Sequence, residues 1–127
     1  MAPRILIVED HQTMREAIRL VLEPEGFEIL EAGDGPSAID AVRSGSPDLV
    51  LLDLGIPRIP GADVLEVLKG DPKTAWVPVV ILTATGEEAR DRVMALGAAG
   101  FFTKPFSPVA LIRTMARVLD ERDGSGS

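Results

Sequence analysis

The sequence predicts a three-layer α/β domain, a parallel five-stranded sheet wound on both faces by helices. Two observations carry this. Short apolar, β-branched runs alternate five times with stretches of helical spacing along the 127 residues. Three of the five runs (RILIV at 4–8, DLVLL at 48–52 and VPVVILT at 77–83) are almost continuously apolar, as strands covered on both faces must be. Parallel strands need crossover connections, and the helical stretches between them supply these. In such a sheet the working site lies beyond the carboxyl ends of the strands.

In chain order, RILIV runs into Glu9-Asp10. Met14, Ala17, Ile18, Val21 and Leu22 then repeat at i, i+3, i+4, i+7 and i+8, one face of an amphipathic helix. Pro24 and Gly26 end it. FEILEA (27–32) alternates and reads as a strand covered on one side. Residues 33–45 are a turn and then a helix with Ala38, Ile39 and Val42 inward, closed by Gly45 and Pro47. After 48–52 comes the loop DLGIPRIPG (53–61), then a helix over 62–70 with Val64, Leu65 and Leu68 inward. The strand over 77–83 leads to a helix over 86–97, bounded by glycines. GFFT (100–103) is the last strand. The final helix spans 107–122, with Ser107 as N-cap, Pro108 at the first helical position and a stripe of Ile112, Met115, Ala116 and Leu119. Residues 1–122 therefore make one domain, and 123–127 (DGSGS) read as a flexible Gly/Ser tail or linker.

Composition narrows the function classes. Apolar residues at 46% are enough for a full core. No cysteine means no disulfide framework and no thiolate metal site. No apolar run approaches the roughly 18 residues of a membrane span. The net charge of −7 argues against direct nucleic-acid contact by this segment and permits a cation site.

The chemistry sits at the strand ends. The first strand ends at Glu9 and Asp10, the third at Asp53, the fourth at Thr83 and the fifth at Lys104. The second ends at Glu31-Ala32, to which no chemistry is assigned. Clustered carboxylates repel and raise one another's pKa values unless a cation joins them, and a hard divalent ion with oxygen ligands solves that. An ammonium and a hydroxyl beside it suit the oxygens of a phosphoryl group. A carboxylate so placed can be the nucleophile that forms an aspartyl-phosphate. Asp53, alone at the end of its strand, is the best placed.

These residues carry a resemblance. The acid pair in VEDH, Asp53 in PDLVLLDLGIP with Gly61 closing its loop, Thr83-Ala84 in VVILTAT, and GFFTKPF around Lys104 together resemble a response-regulator receiver domain of two-component signalling. The resemblance covers about residues 4–121. It implies a flavodoxin-like (βα)5 fold with strand order 2-1-3-4-5, which makes the four chemistry-bearing strands contiguous. It implies Asp53 as phospho-acceptor. It also implies Mg²⁺ or Mn²⁺ held by Asp10, Asp53 and the backbone of Gly55, with Glu9 acting through water. Thr83 and Lys104 become ligands of the phosphoryl group, and Lys104–Pro105 matches the family's cis peptide. Thr83 and Phe101 resemble a switch pair that biases the surface of helix 86–97, strand 100–103 and helix 107–121. Expected partners are a histidine kinase or histidine phosphotransfer protein, a downstream protein on that surface, or a second copy forming a homodimer. A cytoplasmic setting without membrane or nucleic-acid contact goes with these.

Other readings fit less well. A haloacid-dehalogenase-type phosphatase needs a second acid two residues after the nucleophile, where this chain has Gly55, and it needs a cap. A flavodoxin-like cofactor binder needs a Ser/Thr/Gly phosphate loop where EDHQTMR stands. No P-loop occurs. A lone His11 near a helix start reads as a solvated or capping residue rather than a phosphoryl carrier. The module turns over no separate substrate. The alternative within the family is a degenerate receiver that only binds partners, against which the intact set of Asp10, Asp53, Thr83 and Lys104 argues.

Overall fold

The computed structural model describes residues 2–84 and 87–124. Five parallel strands form one sheet in the order 2-1-3-4-5: β1 (Arg4–Val8), β2 (Glu28–Ala32), β3 (Leu49–Leu52), β4 (Val79–Thr83) and β5 (Gly100–Thr103). Helices α1 (Gln12–Leu22), α2 (Gly35–Gly45), α3 (Gly61–Gly70), α4 (Arg90–Ala95) and α5 (Pro108–Gly124) follow the strands in turn.

Strand alternation divides the core between two faces. Leu6, Val8, Val50, Leu52, Val79 and Ile81 point to one side, where they meet Ala38, Ile39, Val64, Leu65, Leu68 and Val93 of α2, α3 and α4. Ile5, Ile7, Leu49, Leu51, Val80 and Leu82 point to the other, against Ile18 and Leu22 of α1 and Leu111, Met115 and Val118 of α5. Both faces of the three inner strands are thus covered, which is why those strands read as unbroken apolar runs.

Helix boundaries follow local chemistry. The Asp34 side chain accepts from the Ser37 amide at 2.8 Å and caps α2. Ser107 Oγ accepts from the Ala110 amide at 3.2 Å and caps α5. The helix expected over 86–97 is shorter than its sequence pattern. A 3₁₀ turn at Glu87–Ala89 precedes a six-residue α4, because Ala89 offers no side-chain acceptor to start an α-helical turn. Its far end is a Schellman motif: Gly97 (φ 104°) donates to Met94 and Ala98 to Val93. Thr85 and Gly86 lie outside the described residues. The fourth strand begins at 79 rather than 77, since Pro78 has no N–H for the ladder. The last helix continues to Gly124, two residues into the expected tail; 125–127 lie outside the described residues. Two inward positions also move. Ala116 is exposed, while Met115 and Leu119 of the expected stripe are buried, Ile112 is partly so, and Leu111 and Val118 join them. Ala17 is exposed on the cleft described next.

Candidate functional site

The ladder continues one residue past three of the strands and pins the site's backbone. Glu9 N donates to Ala32 O at 3.0 Å, Asp53 N to Val8 O at 3.0 Å, and Lys104 N to Thr83 O at 2.9 Å. Glu9, Asp53 and Lys104 thereby leave the sheet side by side in registers that the buried strands have already set.

Their side chains converge on Asp53, which is 8% exposed. One carboxylate oxygen, Oδ1, accepts from Thr83 Oγ1 at 2.8 Å and from the Gly55 amide at 3.0 Å. The other, Oδ2, accepts from Lys104 Nζ at 3.0 Å. Lys104 also donates to Glu9 Oε1. The second Glu9 oxygen accepts from His11 N at 3.1 Å and lies 3.2 Å from His11 Nδ1. Glu9 is 1% exposed and Thr83 fully buried. Burial alone would raise the Asp53 carboxyl, but the Gly55 amide, Lys104 and the Thr83 hydroxyl outweigh it and hold the group below the usual carboxylate range. Burial would likewise lower Lys104, yet Glu9 and Asp53 together raise it. The Asp53 carboxylate is therefore ionised and the ammonium charged at neutral pH.

Glycine opens the loop around this aspartate. A Cβ on Gly61 would lie 2.5 Å from the Asp53 carbonyl oxygen and 2.6 Å from Leu54 Cα, so the start of α3 packs directly on the Asp53 loop. The Gly61 amide donates to Leu54 O at 3.0 Å and closes that loop.

Asp10 stands apart from the buried cluster, its side chain 30% exposed, with His11 Nδ1 at 3.3 Å as its neighbour. Glu9, Asp10 and His11 each place a potential ligand atom within 4.8 Å of the others. Asp53 is not in that group of three. Glu9 and Asp53 share the Lys104 ammonium and Asp10 adds a third carboxylate next to Glu9, so the donor set carries surplus negative charge on hard oxygens, which fits a divalent cation. A cleft of about 550 Å³ opens over the site, walled by Thr13, Met14 and Ala17 of α1, with Asp53, Gly55, Ala84 and Lys104 at its base.

The remaining expected residues are placed as follows. Lys104–Pro105 is cis. Phe101 pairs with Ile81, two residues before Thr83, on the same sheet face as both. Its ring is half-buried against the α2–α3–α4 core, and the Arg90 guanidinium lies 5.4 Å from the ring centroid. Phe102 packs on the opposite face. Glu87, Glu88, Arg90, Asp91, Arg92, Arg113 and Arg117 are all exposed.

Two residues that the sequence left without a role belong to the site's surroundings. Arg15 Nη1 donates to the Glu9 carbonyl at 2.7 Å, and Arg15 Nε donates to Glu31 at 3.1 Å. The only signal for them was an arginine one turn into a helix that follows an acid pair.

A family model described as "Response regulator receiver domain" matches residues 5–116. The phosphate regulon transcriptional regulatory protein PhoB of Klebsiella pneumoniae is 45% identical over 121 residues, which is 94% of this chain and 52% of PhoB. The DNA-binding response regulator MtrA of Mycolicibacterium smegmatis is 43% identical over 126 residues, 97% of this chain and 54% of MtrA. The chain spans about half the length of the curated relatives it matches. Among solved structures, the signal receiver domain of a signal transduction histidine kinase from Syntrophus aciditrophicus superposes with a TM-score of 0.86 at 32% identity, covering 94% of this chain and 91% of that one. The match runs from the first strand into the last helix, over the same elements that build the site, and the chain belongs to the response-regulator receiver domains, the phospho-accepting signalling modules of two-component systems.

Proposed function

We propose that Asp53 is the acceptor, taking a phosphoryl group from a phosphohistidine on a histidine kinase or histidine phosphotransfer protein. The supporting observation is the convergence of Thr83, Gly55 and Lys104 on this one buried, ionised carboxylate. An Asp53 oxygen attacks phosphorus and forms the O–P bond. The N–P bond of the donor breaks, and its electron pair returns to the imidazole nitrogen. The Thr83 hydroxyl and Lys104 ammonium, already on the two oxygens of the acceptor, pass to the phosphoryl oxygens as these arrive. Asp10, Asp53 and the Gly55 backbone would hold Mg²⁺ or Mn²⁺, which neutralises charge on the transferring group. Water returns the phosphoryl group to solution later, so the module turns over no separate substrate.

Besides the water-mediated part at the cation, Glu9 has a second one. Its oxygens are engaged by Lys104 and His11, so it serves as the anchor of Lys104.

The signal leaves through Thr83 and Phe101. When Thr83 swings to the phosphoryl group, the half-buried Phe101 ring turns inward. The surface of helix 86–97, strand 100–103 and helix 107–121 changes with it, and a downstream protein or a second copy reads the change. No helix among the described residues is long and apolar enough to cross a membrane, and a cytoplasmic setting suits a phosphohistidine donor. The net charge of −7 assigns this segment no direct nucleic-acid contact. The DNA binding printed for MtrA refers to a protein about twice as long.

Intact mass after incubation with a small phosphodonor, with and without Mg²⁺, tests the reading. A Mg²⁺-dependent gain of one phosphoryl group in wild type and none in Asp53→Asn is expected. Undiminished labelling of the variant would sink the assignment of Asp53.

A further inference from the structure

We infer that Arg15, braced by Glu31, is a positioning residue for the acid loop that presents Asp10 to the cation. This rests on the cation site proposed above. Asp10 follows the last ladder bond of β1 and lies between two loop peptides, so its direction depends on how the Glu9–Asp10 peptide is held. Glu9 N is fixed by Ala32 O. The carbonyl of the same residue is fixed by Arg15 Nη1 at 2.7 Å, and the same nitrogen lies 3.4 Å from the Asp10 carbonyl. Arg15 is itself held. Its Nε donates to Glu31 Oε1 at 3.1 Å, and the other Glu31 oxygen accepts from Arg19 at 2.5 Å. The brace thus runs from the edge strand β2 through Arg15 to the acid loop, while Arg19, which also pairs with Glu23 at 3.2 Å, stands beside it.

Charge alone gives no reason for Arg15 to be here. A guanidinium beside a cation site repels the cation, and a surface pairing with Glu31 is already met by Arg19. What Arg15 adds, and Arg19 does not, is the bond to the loop backbone. Partners that orient ligands without touching a metal commonly govern affinity by tenfold or more. The two roles therefore predict opposite signs. Removing the charge of Arg15 tightens cation binding if the side chain acts only as a charge, and weakens it if the side chain positions the loop.

The test is a Mg²⁺ titration followed by backbone amide NMR at residues 9–11 and 53–55, on wild type, Arg15→Gln, Arg15→Lys and Arg19→Gln. Arg15→Gln is expected to weaken Mg²⁺ binding by about tenfold with a well-dispersed native spectrum. Arg15→Lys, which keeps the charge and one donor, should recover part of the loss. Arg19→Gln removes the same charge from the same helix and should stay within about twofold of wild type. Binding by Arg15→Gln that equals or exceeds wild type overturns the brace and leaves the cation site standing. Wild-type amides that do not respond to Mg²⁺ overturn the cation site, and the brace with it. Should Arg15→Gln fail to fold, Glu31→Gln, which frees Arg15 without removing it, is expected to weaken binding severalfold. Unchanged affinity in that variant refutes the inference equally well.

Discussion

Replacing Gly61 by alanine tests whether the acceptor loop is held by backbone contact. The added Cβ would lie 2.5 Å from the Asp53 carbonyl oxygen and 2.6 Å from Leu54 Cα, whereas ordinary contact begins near 3.4 Å. Both neighbours are backbone, so no rotamer change relieves the clash, and the start of α3 and the acceptor loop must part by about 0.9 Å, the difference between 3.4 and 2.5 Å. Overpacking of this kind costs about 1–3 kcal/mol. For a domain of this size that lowers Tm by about 3–15 °C. The displaced residue is Asp53 itself, and a misplacement near 1 Å at a reacting group can cost about 10²-fold in rate. Gly70, at the other end of the same helix, is the control: nothing lies within 4 Å of its added Cβ. Gly70→Ala should be between neutral and about 1 kcal/mol more stable, with normal phosphorylation. Thermal melts and the time course of phosphorylation by a small phosphodonor read both variants. Gly61→Ala melting and accepting phosphate like wild type would refute the contact argument.

Two further perturbations address the charges. Lys104→Ala removes the donor on Asp53 Oδ2 while leaving Thr83 and the Gly55 amide in place, so the protein should still be phosphorylated but answer weakly; amide shifts in residues 90–103 on phosphorylation should be much smaller than in wild type, and shifts of wild-type size would exclude a coupling role. Because the Asp53 pKa is lowered on folding, its ionised form contributes stability that is complete above the unfolded carboxyl value near 3.8 and is lost as pH falls through the folded value. The stability difference between wild type and Asp53→Asn should thus be level above about pH 5 and shift steadily against wild type below about pH 4, and a difference flat to the lowest folded pH would contradict the depressed pKa.

The fold was legible because its signals are local. Unbroken apolar runs at 5–8 and 49–52 report burial on both faces, and turns rich in Gly and Pro separate them from helices of regular spacing. The site residues were legible for a related reason: each stands where a buried strand ends, and sheet register alone brings Glu9, Asp53 and Lys104 side by side. What escaped depends on a missing cap or on contacts between distant segments. Helix 86–97 has a continuous helical pattern, but Ala89 offers no cap and the first turn tightens to 3₁₀. Ala17 fits the apolar stripe of α1 by spacing, yet the cleft beside it is left open. Arg15 and Glu31 are sixteen residues apart and meet only because β2 lies beside β1.

The part taken by Glu9 follows from the same kind of contact. Read along the chain, it is one of two adjacent acids, and either could face a cation. In the fold they separate: Glu9 is buried and tied to Lys104, while Asp10 remains partly exposed beside His11. Lys104 bridges two carboxylates, Glu9 and Asp53, and only one of these would gain a phosphoryl group. If Asp53 were its sole partner, Lys104 would have to be recaptured in every cycle as the charge there grows and disappears. With Glu9 as a constant second partner, the ammonium would be able to exchange an Asp53 oxygen for a phosphoryl oxygen without leaving the site. The buried acid of the pair is thus placed to hold the cationic side chain, while the exposed one would be the direct ligand of the proposed cation.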